Sequence, residues 1–167
     1  CLIVGCGNMG AAIAKGMQQA FDKDALSVFD TDEHKSKRLC EEHPCSQIKT
    51  IDKLTIEKFG CLVICVKPQD LSALTKNLRG NIDHKPLVIS ILAGVDTEFL
   101  LNTFAKEGLP IIRAMPNIAA TCDAGTTAMT FNNHCDTNHK KLAEEIFSTV
   151  GTFHWVQESL MDAVTGL

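Results

Sequence analysis

The chain has 167 residues, a formal net charge of −4 and a hydrophobic fraction of 45%, which is enough apolar content for one sizeable core. Its 20 acidic and 16 basic residues include no long basic block, which argues against a nucleic-acid partner. No run of apolar residues is long enough to span a membrane, so we expect a cytoplasmic protein that acts on small molecules.

Short apolar runs alternate with longer amphipathic segments along the chain, as is typical of parallel α/β sheets. The predicted strands are Cys1–Val4, Leu26–Phe29, Cys61–Val66, Leu87–Ile91, Ile111–Met115, Thr126–Phe131 and Phe153–Val156, with a less regular candidate at Gln47–Ile48. The predicted helices are Met9–Ala20, Glu33–His43, Gln69–Leu78, Thr97–Lys106 and Asn138–Val150. Several strands are apolar throughout, which predicts helices on both faces of a doubly wound, mostly parallel sheet.

A G-x-G-x-x-G run follows the first predicted strand directly and a helical pattern begins at its end. Gly5 permits the tight turn, Gly7 lets the backbone approach a pyrophosphate, and Gly10 lets the helix pack closely on the strand. Asn8 and Met9 lie between the last two glycines. The free N–H groups at the helix start would hold the pyrophosphate. These features predict a Rossmann-type α/β domain that binds a dinucleotide.

Asp30 ends the second predicted strand, twenty residues beyond Gly10, where this fingerprint places an acidic residue. A carboxylate there binds both hydroxyls of the adenosine ribose and repels a 2′-phosphate, which favours NADH. Three basic residues on the next helix would instead neutralise a phosphate and admit NADPH: Lys35, Lys37 and Arg38. Asp30 has a second interpretation as the cap of that helix. We therefore expect NADPH or NADH as cofactor, with Asp30 favouring NADH.

Three further motifs follow predicted strands, at the sheet edge where ligands bind in open parallel sheets. They are Val66-Lys67-Pro68-Gln69, Ser90-Ile-Leu-Ala-Gly94-Val95 and Arg113-Ala-Met-Pro-Asn117. The small residues Ala93 and Gly94 would let a flat nicotinamide or a ribose lie against the backbone. Asn117 offers donors and an acceptor for a ribose hydroxyl or a carboxamide.

Taken in order, these runs resemble pyrroline-5-carboxylate reductases over the whole chain. The matching runs are GCGNMG at Gly5–Gly10, VKPQ at Val66–Gln69, SILAGV at Ser90–Val95, RAMPN at Arg113–Asn117 and DAVTGL at Asp162–Leu167. The resemblance implies NAD(P)H-dependent reduction of 1-pyrroline-5-carboxylate to L-proline. It also implies cofactor contacts at Gly5, Met9, Gly10, Val66, Lys67, Pro68, Ala93 and Asn117.

In that family a first domain binds the cofactor, and a helical second domain dimerises and forms most of the imine site. We therefore expect residues 1–156 to form the cofactor domain and residues 157–167 to begin a truncated helical domain. We expect the chain to be a fragment of a longer polypeptide that continues at both ends. The substrate site is expected mainly beyond Leu167, so we assign no catalytic residue, and this chain alone should bind cofactor without turnover. A homo-oligomer through the helical domain is expected.

Some positions leave alternatives open. The family usually continues Met-Pro-Asn with Thr-Pro, whereas this chain has Ile118-Ala119, so we expect that loop to have a different position on the substrate side. Lys67 is better explained by loop geometry and positive charge near the cofactor than by acid catalysis. Arg113 is equally suited to a substrate carboxylate and to a structural ion pair.

Two other function classes fit part of the sequence. A β-hydroxyacid dehydrogenase-like enzyme shares the glycine loop but leaves VKPQ and DAVTGL unexplained. A non-catalytic NAD(H)-sensing module leaves all the strand-end motifs without a purpose. The eight cysteines include no CxxC pair and no zinc spacing, so we expect free, buried thiols in a reducing compartment and no metal site.

Overall fold

The computed structural model describes residues 1–165, so the end of the DAVTGL run, Gly166 and Leu167, lies outside the described residues. The strands are β1 (Leu2–Val4), β2 (Ser27–Phe29), β3 (Ser46–Gln47), β4 (Cys61–Ile64), β5 (Leu87–Ser90), β6 (Ile111–Pro116), β7 (Gly125–Phe131) and β8 (Gly151–Trp155). The helices are α1 (Asn8–Ala20), α2 (Glu33–Glu42), α3 (Lys53–Ile56), α4 (Leu71–Leu78), α5 (Thr97–Phe104), α6 (Thr137–Ser148) and α7 (Met161–Thr165).

All eight strands form one sheet with the order β3-β2-β1-β4-β5-β6-β7-β8. The first six strands in this order are mutually parallel, β7 is antiparallel to β6, and β8 is parallel to β7. The order 3-2-1-4-5-6 is that of doubly wound dinucleotide-binding folds. These folds bind their ligand at the point where the strand order reverses, which lies between the first strand and the fourth. The predicted fold class is confirmed, and the reversal places the expected crevice between β1 and β4.

Successive side chains along the central strands point to opposite faces of the sheet, and they divide the core into two layers. Ile3 and Val63 face the layer covered by α1, α2 and α6, whereas their neighbours Leu2 and Leu62 face the layer covered by α3, α4 and α5. All four side chains have no exposed surface. Apolar burial on both faces of the sheet explains why these strands are apolar throughout. The same burial fixes the ends of the strands, and therefore the loops of the crevice, against rigid layers.

The predicted strands and the long predicted helices all occur, and their ends agree within two residues. The sequence did not predict α3, which has only four residues, or the reversed direction of β7. The β6–β7 connection is short, comprising residues 117–124 and one 3-10 turn, Ile118–Cys122. A parallel crossover needs about a dozen residues or more, so β7 returns antiparallel. Among residues 1–165, no helix has the length and apolar character needed to cross a membrane.

Candidate cofactor-binding site

The glycine loop lies between the carboxyl ends of β1 and β4. Gly5 has φ +103°, a conformation that favours glycine, and a Cβ there would lie 2.7 Å from the carbonyl carbon of Cys65. A Cβ on Gly10 would overlap the carbonyl oxygen of Gly5. Both glycines are therefore required by close backbone approach, one between two strands and the other between strand and helix.

Gly7 differs from the other two glycines because its missing side chain faces open space. A Cβ built there meets no atom within 4 Å, and its backbone, with φ −71° and ψ −173°, is accessible to any residue. Nothing in the fold demands glycine at this position. The open space lies over the start of α1, where the fingerprint expects a pyrophosphate to approach.

The start of α1 lacks the side-chain cap that most other helices of this chain have. Four helices are preceded by an N-cap aspartate whose side chain accepts a hydrogen bond from a first-turn N–H: Asp32 for α2, Asp52 for α3, Asp96 for α5 and Asp136 for α6. Gly7 is the N-cap of α1 and makes no such bond, and the first turn of this helix contains no acidic residue. The unpaired N–H groups and the positive end of the helix dipole are thus available to an anion.

Asp30 is fixed by two backbone hydrogen bonds at the end of β2. One carboxylate oxygen accepts from the N–H of Cys6 at 2.7 Å, and the other accepts from the N–H of Asp32 at 2.8 Å. The interpretation of Asp30 as the cap of α2 is wrong, because Asp32 caps that helix through the N–H of His34. Asp30 instead joins the middle of the glycine loop to the end of β2.

Two adjoining cavities bring most of the predicted site residues together. The first, of about 280 Å³, is lined by Gly5, Gly7, Asp30, Val66 and Lys67 together with residues of α4. The second, of about 620 Å³, runs between α1 and α2 and is lined by Gly7, Asn8, Met9 and Lys67. Sequence reasoning missed Thr31, Asp70 and Asn77, which also line the first cavity. Their positions depend on how α2 and α4 flank the crevice.

The remaining predicted residues lie elsewhere. Gly10 is buried against Gly5 and supports the loop from below. Pro68 lines a separate groove of about 500 Å³ between α4 and α5, which does not contact the glycine loop. Ala93 and Gly94 are exposed after β5, outside the linings of the two cavities.

Asn117 is exposed after β6, also outside those two linings. Its Oδ1 accepts from the N–H of Thr126 at 3.2 Å, so this side chain closes the turn between β6 and β7. Its amide group leaves donors free for a ligand. Asn117, Ala93 and Gly94 share the carboxyl edge of the parallel strands with the glycine loop, farther along the sheet.

The three basic side chains predicted to neutralise a 2′-phosphate all have acidic neighbours on α2 or at its N-cap. Nζ of Lys35 lies 3.9 Å from Asp32, Nζ of Lys37 lies 3.7 Å from Glu41, and Nε of Arg38 lies 2.7 Å from Glu42. These pairs are exposed and weak. They nevertheless leave α2 with no net excess of positive charge beside Asp30.

Arg113 forms a structural ion pair in the described residues, one of its two predicted roles. Only 1% of the residue is exposed, and its guanidinium lies 2.6 Å from Asp162 and 3.5 Å from Glu158. Glu158 also accepts from the N–H and the hydroxyl of Thr97. The segment after β8 is thereby joined to β6 and to the start of α5. Sequence reasoning did not connect these acids to Arg113, because 45 residues or more separate them along the chain.

The thiol beside the glycine loop adds no charge to the crevice. Burial, and then the nearby carboxylate of Asp30, raise the pKa of Cys6 to about 12, so the thiol is neutral at pH 7. All eight cysteines are free; Cys6 and Cys61 are buried as predicted, whereas Cys122 is exposed and the others are partly exposed. Within the described part of the chain, no three His, Cys, Asp or Glu side chains are grouped so that they could hold a metal ion.

Comparison with known proteins agrees with this geometry. The family model described as "NADP oxidoreductase coenzyme F420-dependent" matches residues 1–94. A pyrroline-5-carboxylate reductase of Methanosarcina acetivorans is 37% identical over 98% of the chain, and pyrroline-5-carboxylate reductase 1 of Bacillus subtilis is 29% identical over 98%. The chain spans 61% and 56% of the lengths of these two relatives.

A solved structure of a pyrroline-5-carboxylate reductase from Coxiella burnetii superimposes with a TM-score of 0.93 and 27% identity, covering 99% of this chain and 62% of that one. The predicted resemblance is therefore confirmed along nearly the whole chain. The three relatives described above, which match nearly the whole chain, are pyrroline-5-carboxylate reductases. Because the family model covers more than half of its residues, the chain belongs to the family of NADP oxidoreductases described as coenzyme F420-dependent.

Proposed function

We propose that the protein containing this chain reduces 1-pyrroline-5-carboxylate to L-proline with a dihydronicotinamide cofactor. The observation that carries the proposal is the order of five motifs along a chain that is 37% identical to a pyrroline-5-carboxylate reductase over 98% of its length. The open space above Gly7 and the uncapped start of α1 support the cofactor half of the proposal. The β-hydroxyacid dehydrogenase and NAD(H)-sensing alternatives gain no specific support from the geometry.

The bound cofactor would supply a hydride to the imine carbon, while the ring nitrogen carries the proton. The residues of this chain would hold the cofactor and orient it. N–H groups at the start of α1 donate to the pyrophosphate, Asp30 accepts from the adenosine ribose, and Val66 and Lys67 line the wall opposite the glycine loop. Because a protonated imine is already electrophilic, positioning at reacting distance is the main requirement, and Lys67 need not act as an acid.

NADH is the preferred cofactor in this proposal. The carboxylate of Asp30 cannot turn away from a 2′-phosphate, because backbone N–H groups of Cys6 and Asp32 hold both of its oxygens. The positive charge of α2 is offset by acids on the same helix, as described above. A 2′-phosphate would therefore meet a fixed negative charge without a matching excess of cations.

The rest of the protein is also part of the proposal. Residues 1–156 would form the cofactor domain, and the segment from residue 157 would begin a helical domain that supplies most of the imine site and a homo-oligomer interface. The lengths of the relatives support this division, since the chain spans 61% of the M. acetivorans protein. In this proposal the enzyme is cytoplasmic, and the chain by itself binds cofactor without turnover.

A steady-state assay of the full-length protein tests the function. Cofactor oxidation is followed with 1-pyrroline-5-carboxylate, using NADH and NADPH in parallel, and proline is identified as the product. Protein that binds either cofactor but oxidises neither would contradict the reductase assignment. Reduction of NAD⁺ by β-hydroxyacids from the same preparation would replace it with the dehydrogenase.

The Asp30→Asn variant tests the cofactor preference in the same assay. The amide keeps one acceptor for the backbone and removes the charge, so the ratio of kcat/KM for NADPH to that for NADH should rise by about tenfold, which corresponds to about 1.4 kcal/mol. Glu145→Gln, which removes one negative charge from an exposed position on α6 outside both cavities, is the control and should leave the ratio unchanged. An unchanged ratio in Asp30→Asn would remove Asp30 from the ribose site.

A further inference from the structure

Two cysteines flank the turn between α2 and β3. Cys40 lies in the last turn of α2, Cys45 immediately precedes β3, and their Sγ atoms are 2.8 Å apart. A disulfide bond is about 2.05 Å long, so the sulfur atoms need to move by less than about 1 Å to form one. We propose that Cys40 and Cys45 are a reversible dithiol–disulfide site that reacts with a low-molecular-weight disulfide of the glutathione type.

The backbone on both sides of the turn holds the two thiols together. The N–H of His43 donates to the carbonyl of Leu39 at 2.9 Å and ends α2, and the N–H of Ser46 donates to the carbonyl of Leu26 at 3.1 Å and begins β3. Nε2 of Gln47 also donates to the hydroxyl of Ser36, which ties the strand to the helix. Because both cysteines lie next to residues fixed in this way, the fold raises the effective concentration of one thiol at the other.

The other thiols do not offer this arrangement. No second pair of Sγ atoms in the described residues is within hydrogen-bonding distance. Cys6 and Cys61 are buried, and Cys122 is exposed but has no thiol beside it. Cys40 and Cys45 are both partly exposed, so a small disulfide can reach them. The pair is thus the site at which an intramolecular disulfide should form first.

The exchange has two steps, and the second takes place within the chain. Burial, and then the hydrogen bond with Cys40, raise the pKa of Cys45. This thiol is suited to the second step, because Sγ of Cys40 already lies 2.8 Å away. The Cys40 thiolate first attacks one sulfur of oxidised glutathione, the glutathione S–S bond breaks, and one glutathione leaves and takes up a proton. Cys45 then loses its proton and attacks Sγ of Cys40, and the second glutathione leaves. The two cysteines are oxidised and one glutathione disulfide is reduced to two thiols.

Mass spectrometry on the folded chain tests the proposal. The chain is equilibrated with mixtures of reduced and oxidised glutathione, its remaining thiols are alkylated, and it is digested with trypsin. Cleavage after Arg38 and Lys49 releases a peptide, residues 39–49, that contains both cysteines of the pair and no others. We expect this peptide to be two hydrogens lighter and unalkylated, and to return to the dialkylated form after treatment with dithiothreitol.

Variants and a denatured control separate the proposal from general thiol reactivity. In Cys45→Ser the second step is blocked, so the mixed glutathione disulfide should remain on Cys40, whereas Cys122→Ser should leave the oxidation of the pair unchanged. In urea the equilibrium constant for forming the disulfide should fall by about tenfold or more, because the fold no longer holds the thiols together. Equal constants in the folded and denatured chains, or dialkylated peptide throughout the titration, would overturn the proposal.

Discussion

Replacing Gly7 with alanine should separate cofactor binding from folding. A Cβ at this position meets no protein atom within 4 Å, and the backbone angles, φ −71° and ψ −173°, suit alanine. Alanine is a poorer N-cap than glycine by about 0.5–1 kcal/mol, but it lowers the entropy of the unfolded chain by a comparable amount. The free energy of unfolding should therefore change by less than about 1 kcal/mol, and Tm by less than about 4 °C.

The same methyl group should weaken binding strongly. It would occupy the space through which a pyrophosphate approaches the N–H groups of the first turn of α1, which carry no other acceptor from a capping side chain. A hydrogen bond to a charged group contributes about 1.5–3 kcal/mol. Loss of one or two such bonds corresponds to about 3 kcal/mol, so Kd for NADH should rise by roughly a hundredfold.

Gly10→Ala is the matched control, with the same change three residues along the chain. Its Cβ would overlap the carbonyl oxygen of Gly5, so the backbone itself must shift, and we expect a loss of at least about 2 kcal/mol in unfolding free energy. Titration of each variant with NADH by calorimetry, beside thermal denaturation without cofactor, gives both quantities. Wild-type affinity in Gly7→Ala, or a loss of stability as large as in Gly10→Ala, would refute the assignment of Gly7 to the pyrophosphate.

Two further predictions concern stability. Removing both carboxylates, with Glu158→Ala and Asp162→Ala, leaves the buried guanidinium of Arg113 unpaired and should cost about 3–5 kcal/mol in urea denaturation. Arg113→Met should lower the unfolding free energy by about 1.5 kcal/mol or less, since the acids that remain reach solvent. A larger loss in Arg113→Met would contradict the expected difference between removing the arginine and removing its two acids. A hydrogen bond from the backbone N–H of His139 lowers the pKa of Asp136, so this cap stabilises the fold above about pH 4 and its contribution is lost as the pH falls through the lowered pKa. Asp136→Ala should therefore lower Tm by about 2–4 °C at pH 7 and by less at pH 3, and an equal loss at both would exclude the charged cap.

The parallel part of the fold could be predicted because strand and helix signals are local. Runs such as Leu62–Ile64 are apolar at every position, and the helices between them show a repeating apolar face. The direction of β7 depends instead on the length of a connection. Eight residues from Asn117 to Ala124 are too few for a crossover, and this signal was present in the sequence. The four-residue helix α3 is too short for a periodic pattern.

The candidate site was predictable where chemistry and position coincide in a motif. Gly5, Gly7 and Asp30 meet around one cavity because the loop after β1 and the end of β2 are neighbours in any sheet of this order. The partners of Arg113 were not predictable in this way. They lie on a segment that follows the last strand, and its path back to β6 is determined by the three-dimensional packing of that segment.

Asp30 shows how a residue with a predictable type can have an unpredicted second role. The fingerprint accounts for a carboxylate that faces a ribose, but the structure also uses it to hold the N–H of Cys6, in the middle of the glycine loop. If Asp30 binds the ribose as proposed, cofactor preference and loop geometry are coupled through one side chain. An exchange that removes the acceptor, such as Asp30→Ala, would disturb the pyrophosphate cradle as well as the ribose contact, so both cofactors should bind more weakly. Asp30→Asn keeps one acceptor, which can remain on the N–H of Cys6, and gives up the bond to Asp32. A change in preference with a smaller loss of affinity than in Asp30→Ala should therefore be sought in this variant.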